Sequence, residues 1–493
     1  MNIKEAKNFI KDTVSAYLKK DEFGDYRIPT EKQRPIFLLG APGIGKTAIM
    51  SQIANELDIA LVSYSMTHHT RQSALGLPFI KEKTYGDTTV SVSEYTMSEI
   101  IASVYDTMEE SGVKEGILFL DEINCVSETL YPSMLQFLQY KVFGKHTVPN
   151  GWVIVTAGNP PEYNRAVREF DVVTLDRMKV IAVEADYPAW KSYALSKDVH
   201  GAVMGFLDAN KESFYKVETT AYGKNYVTAR GWEDLSDMIS LYEEDGKTVT
   251  DSLICQYITD EKTVKEFSAY YDLYNKYKKQ YDVESVFCGK LSDNAVKAAK
   301  SASVDERLAL TGLLADTVKS ETRDILSSHR MLSQIRAGVS TIVNADAKEA
   351  EERLDALIDA TKSVISRKSR AGSLSAAEKS HNKKMIRFYT NAKDRINKGE
   401  SIRDIYNEQV TKLKADAGNE LTRIDNLFAG MEEMFGSDGN EMLVLVTELT
   451  LCPDTSDFLS EFPSESYIKY SSVLMVGDRA EILRREISEL EGL

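Results

Sequence analysis

The stretch Ile36-Phe37-Leu38-Leu39-Gly40-Ala41-Pro42-Gly43-Ile44-Gly45-Lys46-Thr47-Ala48 decides how this chain reads. Its apolar start predicts a buried strand, and Gly40 to Thr47 fit G-x-x-x-x-G-K-[ST]. Ile49, Ile53 and Leu57 then recur at helical spacing. Strand, glycine-rich turn and helix in that order form an anion cradle. The glycines let backbone N–H groups curl around phosphate oxygens, and the helix N-terminus adds the positive end of its dipole. Lys46 is placed for the outer phosphates and Thr47 offers a hydroxyl to Mg²⁺. Gly40, Ala41, Pro42, Gly43, Ile44, Gly45, Lys46, Thr47 and Ala48 are therefore the candidate residues for ATP.

Working outward, short apolar runs at 36–39, 60–64, 117–120, 152–156 and 180–183 alternate with helical stretches. That alternation predicts an α/β fold, a parallel sheet with helices on both faces. The run 117–120 ends in Asp121-Glu122, two carboxylates delivered to the phosphate end of the sheet. Asp121 would hold Mg²⁺ through water, and Glu122 would polarise an attacking water as a general base. The run 152–158 ends in Asn159, ahead of Pro160 and Pro161.

The whole chain has 493 residues, which at roughly 150 residues per domain suggests about three domains. We expect an N-terminal helix and linker at 1–30, the α/β nucleotide-binding domain at 31–188, a helical lid at 189–285 and a mainly helical region at 286–493. In the last of these, Ser303-x-x-Glu306 and Ser375-x-x-Glu378 match helix-start capping boxes. Leu314, Val318, Ile325, Leu332, Ile335, Val339 and Ile342 form a stripe suited to packing within the chain. Residues 362–398 hold eleven Lys/Arg against two Asp/Glu; we read them as a solvated face, with a docking patch for an acidic partner or nucleic acid as the alternative.

The net charge of −16 argues against a general nucleic-acid coat protein. Cys125, Cys255, Cys288 and Cys452 form no C-x-x-C pair, which excludes a disulfide framework or zinc knuckle as a reading. No N-terminal leader and no apolar span of roughly 18 residues is evident, so a soluble, cytoplasmic protein is expected. His68-His69 reads as a polar loop without a third metal ligand. Tyr270, Tyr274, Tyr277 and Tyr281 read as lid core in preference to a base-stacking platform. Cys125 reads as a small packed residue.

With these motifs on one stretch, residues from about 34 to 239 resemble the AAA+ ATPases. The resemblance implies that Asn159 is the polar sensor that orients the attacking water. Leu175-Asp176-Arg177-Met178 resembles the box whose arginine reaches a neighbouring subunit's nucleotide, although Met178 stands where the family has Phe; Arg165 and Arg168 compete with Arg177 for that role. Val227-Thr228-Ala229-Arg230-Gly231-Trp232 resembles the start of the second sensor helix, which makes Arg230 the candidate. Two further stretches, a hairpin over 79–92 turning at Gly86-Asp87 and another over 137–148, look like insertions of the MoxR type. That resemblance implies a homo-oligomeric ring, a hexamer, that remodels proteins with a von Willebrand factor A-domain partner. Nucleic acid is not expected as a partner. The alternatives are a nucleic-acid-associated motor using 362–398 and a nucleotide-gated scaffold with little turnover.

Overall fold

The apolar runs become adjacent strands because a sheet covered on both faces requires them. In this computed structural model, which describes residues 1–472 apart from 69–71, 73, 75, 165–166, 198, 221–222 and 281–282, the strands are β1 (Ile36–Gly40), β2 (Ala60–Ser65), β3 (Pro78–Tyr85), β4 (Thr88–Tyr95), β5 (Gly116–Asp121), β6 (Val142–Phe143), β7 (His146–Thr147), β8 (Trp152–Gly158) and β9 (Lys179–Val183). Five of them form one sheet in the order β2-β5-β8-β1-β9, with every pairing parallel. The chain divides into two units, 1–189 with 354–390, and 190–353 with 391–493.

The first unit holds the sheet. Its core joins Phe37, Val62, Leu118, Leu120 and Ile154 to side chains from the helices α3 (Glu99–Ser111) and α4 (Tyr131–Tyr140). Ahead of them lie α1 (Ile3–Tyr17) and α2 (Lys46–Glu56). Asn2 and Glu5 close a capping box on α1, and the amino group of Met1 donates to the Ala182 carbonyl at 2.9 Å, which seats α1 beside edge strand β9. The other edge strand, β2, is covered by the tip of a long helical hairpin, Ala347–Arg370 followed by Ala376–Ile396. There Leu61 N–H donates to the Ala371 carbonyl at 2.7 Å, and the Asn55 amide donates to the Ser373 carbonyl and to Glu378, both at 2.8 Å. Gly372 is needed at the tip: its φ is +67°, and a Cβ would stand 2.5 Å from the Leu61 carbonyl. An edge blunted in this way cannot pair with another chain. Part of the basic stretch is neutralised locally, Lys368 pairing with Glu378 at 2.8 Å and Asp58 at 3.6 Å.

Both inserted hairpins are present. β3 and β4 turn at Gly86, where φ is +62°. The second is shorter than expected: Phe137–Tyr140 close α4 because Phe137 and Leu138 are buried, and only β6 and β7 form the ladder, turning at Gly144. Glu94 joins the two hairpins, accepting from Lys83 at 2.5 Å and from Lys145. Those hydrogen bonds, Lys145 first, hold its carboxyl down to about 2.

Lys141 links α4 to β6 with a left-handed φ of +57°. Its ammonium, 4% exposed as a residue, donates to the Thr30 carbonyl at 2.7 Å and to Gln33 Oε1 at 3.5 Å. Burial with no carboxylate pair among the described residues pushes its pKa from 10.5 down to about 8. Because the unfolded chain then binds more protons between these values, Lys141 makes folding more favourable as pH rises from about 8 to 10.5. Denaturant titrations of wild type and Lys141→Met across that range should therefore differ by an amount that grows with pH, on the order of 2–3 kcal/mol in total. A difference independent of pH would count against the buried ammonium.

In the second unit a two-stranded hairpin, β10 (Lys216–Thr220) with β11 (Gly223–Val227), interrupts a region expected to be helical. Its polar strands carry too little apolar alternation to announce themselves. The main helices are α5 (Gly201–Ala209), α6 (Ala229–Glu244), α7 (Glu261–Gln280), α8 (Val304–Ile342), α9 (Ile402–Phe435) and α10 (Asn440–Leu451). Phe206, Trp232 and Phe267 pack edge-on or tilted, with ring centroids 5.3–5.6 Å apart. Tyr270 packs edge-on to Phe206 and Tyr274 is buried, so these two belong to the core; the Tyr277 side chain and Tyr281 lie outside the described residues.

The α8 stripe is buried as read, with Ile325 half-buried; Leu314, Val318 and Ile325 share one core with Ile424, Leu427, Phe428 and Met431 of α9. Ser303 and Ser375 accept from the N–H groups of Glu306 and Glu378, at 3.3 and 3.1 Å. Among the described residues no helix is long and apolar enough to cross a membrane.

Candidate functional site

Sheet order assembles the site. The C-terminal ends of β5, β8 and β1 lie side by side, so Asp121-Glu122, Asn159 and the turn Gly40–Thr47 converge where open α/β sheets present ligand-binding groups. Gly43 and Gly45 have φ of +74° and +95°, conformations closed to residues with a Cβ at low cost. Gly45 is the N-cap of α2 and supplies no side-chain cap, so the first-turn N–H groups of Lys46, Thr47 and Ala48 have no side-chain acceptor from it. Gly40 is also sterically required, since a Cβ would lie 2.6 Å from the Val183 carbonyl. Pro42 and Ile44 complete the turn, with Ile44 and Ala41 buried.

Lys46 is 8% exposed, and its ammonium donates to the Gly40 and Ala41 carbonyls at 2.7 Å each and to Asn159 Oδ1 at 2.9 Å. The Thr47 hydroxyl donates to Asp121 Oδ2 at 2.9 Å. A hydroxyl and a carboxylate so paired are hard oxygen ligands of the kind Mg²⁺ takes, and the uncapped helix start suits phosphate oxygens; the residues fit both groups.

Glu122 stands in the left-handed region, φ +56°, unusual for a side chain of this size and a form of strain that collects at functional sites. Its Oε2 accepts from the hydroxyls of Ser65 and Thr67, each at 2.9 Å. The sequence did not single out Ser65 or Thr67. The register of β2 on β5, pairing Ser65 with Asp121, is what sets the Ser65 hydroxyl beside the next residue. Asn124 was missed as well: it is 3% exposed, its amide donates to the Asn159 carbonyl at 2.9 Å, and it packs so closely on Gly158 that a Cβ there would collide with it.

Three arginines are candidates for a role across subunits. Arg177 is exposed at the end of a short helix, Val172–Asp176, and donates to Gln139 Oε1 at 2.8 Å through one of its five N–H groups. Arg168 is half-buried and ion-paired with Glu128. Arg165 lies outside the described residues. Met178, the departure from Phe, is 5% exposed and fills the core as the aromatic ring would. Arg230 belongs to the second unit, exposed in the first turn of α6, which Thr228 caps by accepting from Gly231 N–H at 3.1 Å. Cys125 is half-buried, and burial followed by the charges of Glu122 and Asp121 pushes its thiol up, which disfavours the reactive thiolate. His69 lies outside the described residues, and among those described no cluster of His, Cys, Asp or Glu could hold a metal ion.

Sheet, turn and carboxylates together define a P-loop nucleotide-binding α/β unit. Residues 36–175 match the family model "ATPase family associated with various cellular activities (AAA)". No curated protein matches the chain. Among solved structures the chain is similar to NtrX from Brucella abortus in complex with ADP, with 17% identity over 43% of this chain and 42% of that one and a TM-score of 0.24. The chain thus spans less than half the length of that protein.

Proposed function

We propose that the protein is a Mg²⁺-dependent ATPase of the MoxR type that works as a homo-oligomeric ring, a hexamer, on a partner protein. The observation that carries this reading is the convergence of Lys46, Thr47, Asp121, Glu122 and Asn159 on the ends of three adjacent strands. The turn N–H groups and Lys46 bind the phosphates. Thr47 and Asp121 would hold Mg²⁺, which when bound supplies positive charge beside the terminal phosphates. Glu122 takes a proton from the attacking water, and Asn159, kept in place by Lys46 and Asn124, orients that water. Arg177 reaches the nucleotide of the next protomer, where its fixed charge and planar fork suit phosphate oxygens. Exposed Val172 and Val173, 81% and 60% accessible, flank it and suit burial against a second copy. Arg230 senses the nucleotide of its own subunit. The two hairpins tied by Glu94 support the MoxR reading, and with it a von Willebrand factor A-domain partner.

Mg²⁺-dependent phosphate release by the purified chain, with mass measured by light scattering with and without ATP, tests this directly. A chain that neither binds ATP nor assembles would end the proposal. Turnover stimulated by DNA or RNA with steep salt dependence would favour a motor instead.

The Ser65 and Thr67 hydroxyls restrain Glu122 away from water, at a net cost of about 1 kcal/mol for the bonds it must exchange. Ser65→Ala with Thr67→Val is expected to raise basal turnover several-fold, up to about tenfold, at unchanged ATP affinity. Steady-state kinetics decides it; a fall in kcat would show that the hydroxyls hold the base in its working position.

A further inference from the structure

Two helices of the first unit present opposite charge to solvent. One is α3: from Thr96 to Val113 the chain holds Glu99, Asp106, Glu109 and Glu110 and no Lys or Arg. All four carboxylates are exposed, while Ile100, Ile101 and Val104 turn into the core. The other is the returning helix of the long hairpin, Ala376–Ile396, which holds no Asp or Glu from Lys379 to Lys393. Lys379, Lys383 and Arg387 are exposed on it, and Asn382, Met385 and Tyr389 are buried. None of these four carboxylates and three cations takes an ion pair among the described residues.

Each face is electrostatically unfavourable by itself. Lys379, Lys383 and Arg387 follow one another at i,i+4, as do Asp106 and Glu110, so like charges stand about 6 Å apart along each helix. Lys379 closes the first turn of its helix, at the positive end of the dipole, and Glu109 and Glu110 lie in the last turn of α3, at the negative end. Elsewhere the hairpin does compensate its charge, with Lys368 on Glu378 and Asp58. The two uncompensated faces match each other. Set antiparallel, Lys379 meets Glu110 and Lys383 meets Asp106 at the same step of about 6 Å, with the dipoles opposed. Arg387 then falls about 5 Å short of Glu99 along the axis, a gap that its long side chain spans. Within one copy no ion pair joins these faces.

We propose that the Lys379–Arg387 face of one copy packs on the Glu99–Glu110 face of the next, as a second contact within the ring. This rests on the assembly proposed above. The faces are different surfaces, so the contact is heterologous: each protomer gives one and receives the other, and closure of the ring satisfies them all. A nucleic acid fits less well. The phosphates of a duplex continue past a stripe of about 12 Å onto a chain of net charge −16. Tyr389 is 2% exposed and Phe388 half-buried, so the stripe offers no open ring on which a base could stack.

Light scattering of the full chain with ATP tests the contact through charge reversal. Lys379→Glu with Lys383→Glu and Arg387→Glu leaves both faces acidic; Glu99→Lys with Asp106→Lys and Glu110→Lys leaves both basic. Either triple variant alone is expected to assemble at least about tenfold more weakly than wild type, because every contact then sets like charges together. Mixed in equal amounts, the two variants should assemble nearly as wild type does, alternating around the ring, and so should a chain carrying both sets of substitutions. Wild-type assembly should also weaken as salt rises from about 50 to about 200 mM. A folding defect cannot produce recovery on mixing. The contact is overturned if either triple variant assembles as wild type does, if the mixture stays dissociated, or if a labelled DNA duplex binds wild type and not the hairpin variant. A wild type that assembles and releases phosphate, beside triple variants that assemble unchanged, removes this contact alone; a wild type that never assembles removes the ring with it.

Discussion

Glu122→Gln is expected to bind ATP as tightly as wild type and to hydrolyse it about 10²–10⁴-fold more slowly. The carboxamide keeps the shape of the side chain and can still meet the Ser65 and Thr67 hydroxyls, which hold the carboxylate at 2.9 Å. What it loses is the capacity to take a proton. The nucleotide contacts come from the turn and Lys46, so affinity should not follow turnover down. Phosphate release beside a binding measurement with the same nucleotide separates the two. Equal turnover in both proteins would favour a scaffold that binds ATP without using it, and lost affinity would mean that Glu122 is a structural part of the cradle.

The second large effect concerns Arg177. If its guanidinium completes the neighbour's site, Arg177→Ala should lower turnover by about 10³–10⁵-fold while sparing ATP binding. Removing the single hydrogen bond to Gln139 on an exposed surface cannot account for a loss of that size, since such a bond contributes only about 1 kcal/mol. Mixing makes the test specific. Arg177→Ala protomers keep Glu122, and Glu122→Gln protomers keep Arg177, so a mixed assembly contains pairings with both groups intact. Recovered activity on mixing two nearly dead proteins demands a shared site, and none would be recovered if Arg177 served its own protomer.

What could be read early was whatever is local in the chain. Each strand of the central sheet carries a short run rich in apolar residues, and the turn, the acidic pair and Asn159 each follow such a run closely. The Gly86-Asp87 hairpin and the two capping boxes are likewise patterns of a few residues. The pre-β8 hairpin was over-extended because Phe137 and Leu138 suit a strand as well as a helix, and only burial against the core separates the two. The β10–β11 hairpin escaped because its polar strands show little apolar alternation.

The amino-acid order by itself determined that a phosphate cradle follows β1 and that two carboxylates end β5, because adjacent residues cannot be parted by folding. Register and packing decided the rest: Ser65 and Thr67 on Glu122, the hairpin tip on the edge of β2, and Lys379, Lys383 and Arg387 on the uncovered side of their helix. Each of these joins residues tens to hundreds of positions apart, or depends on which side of a helix is covered. No local pattern specifies such placements, because they exist only once the strands and helices have chosen their neighbours.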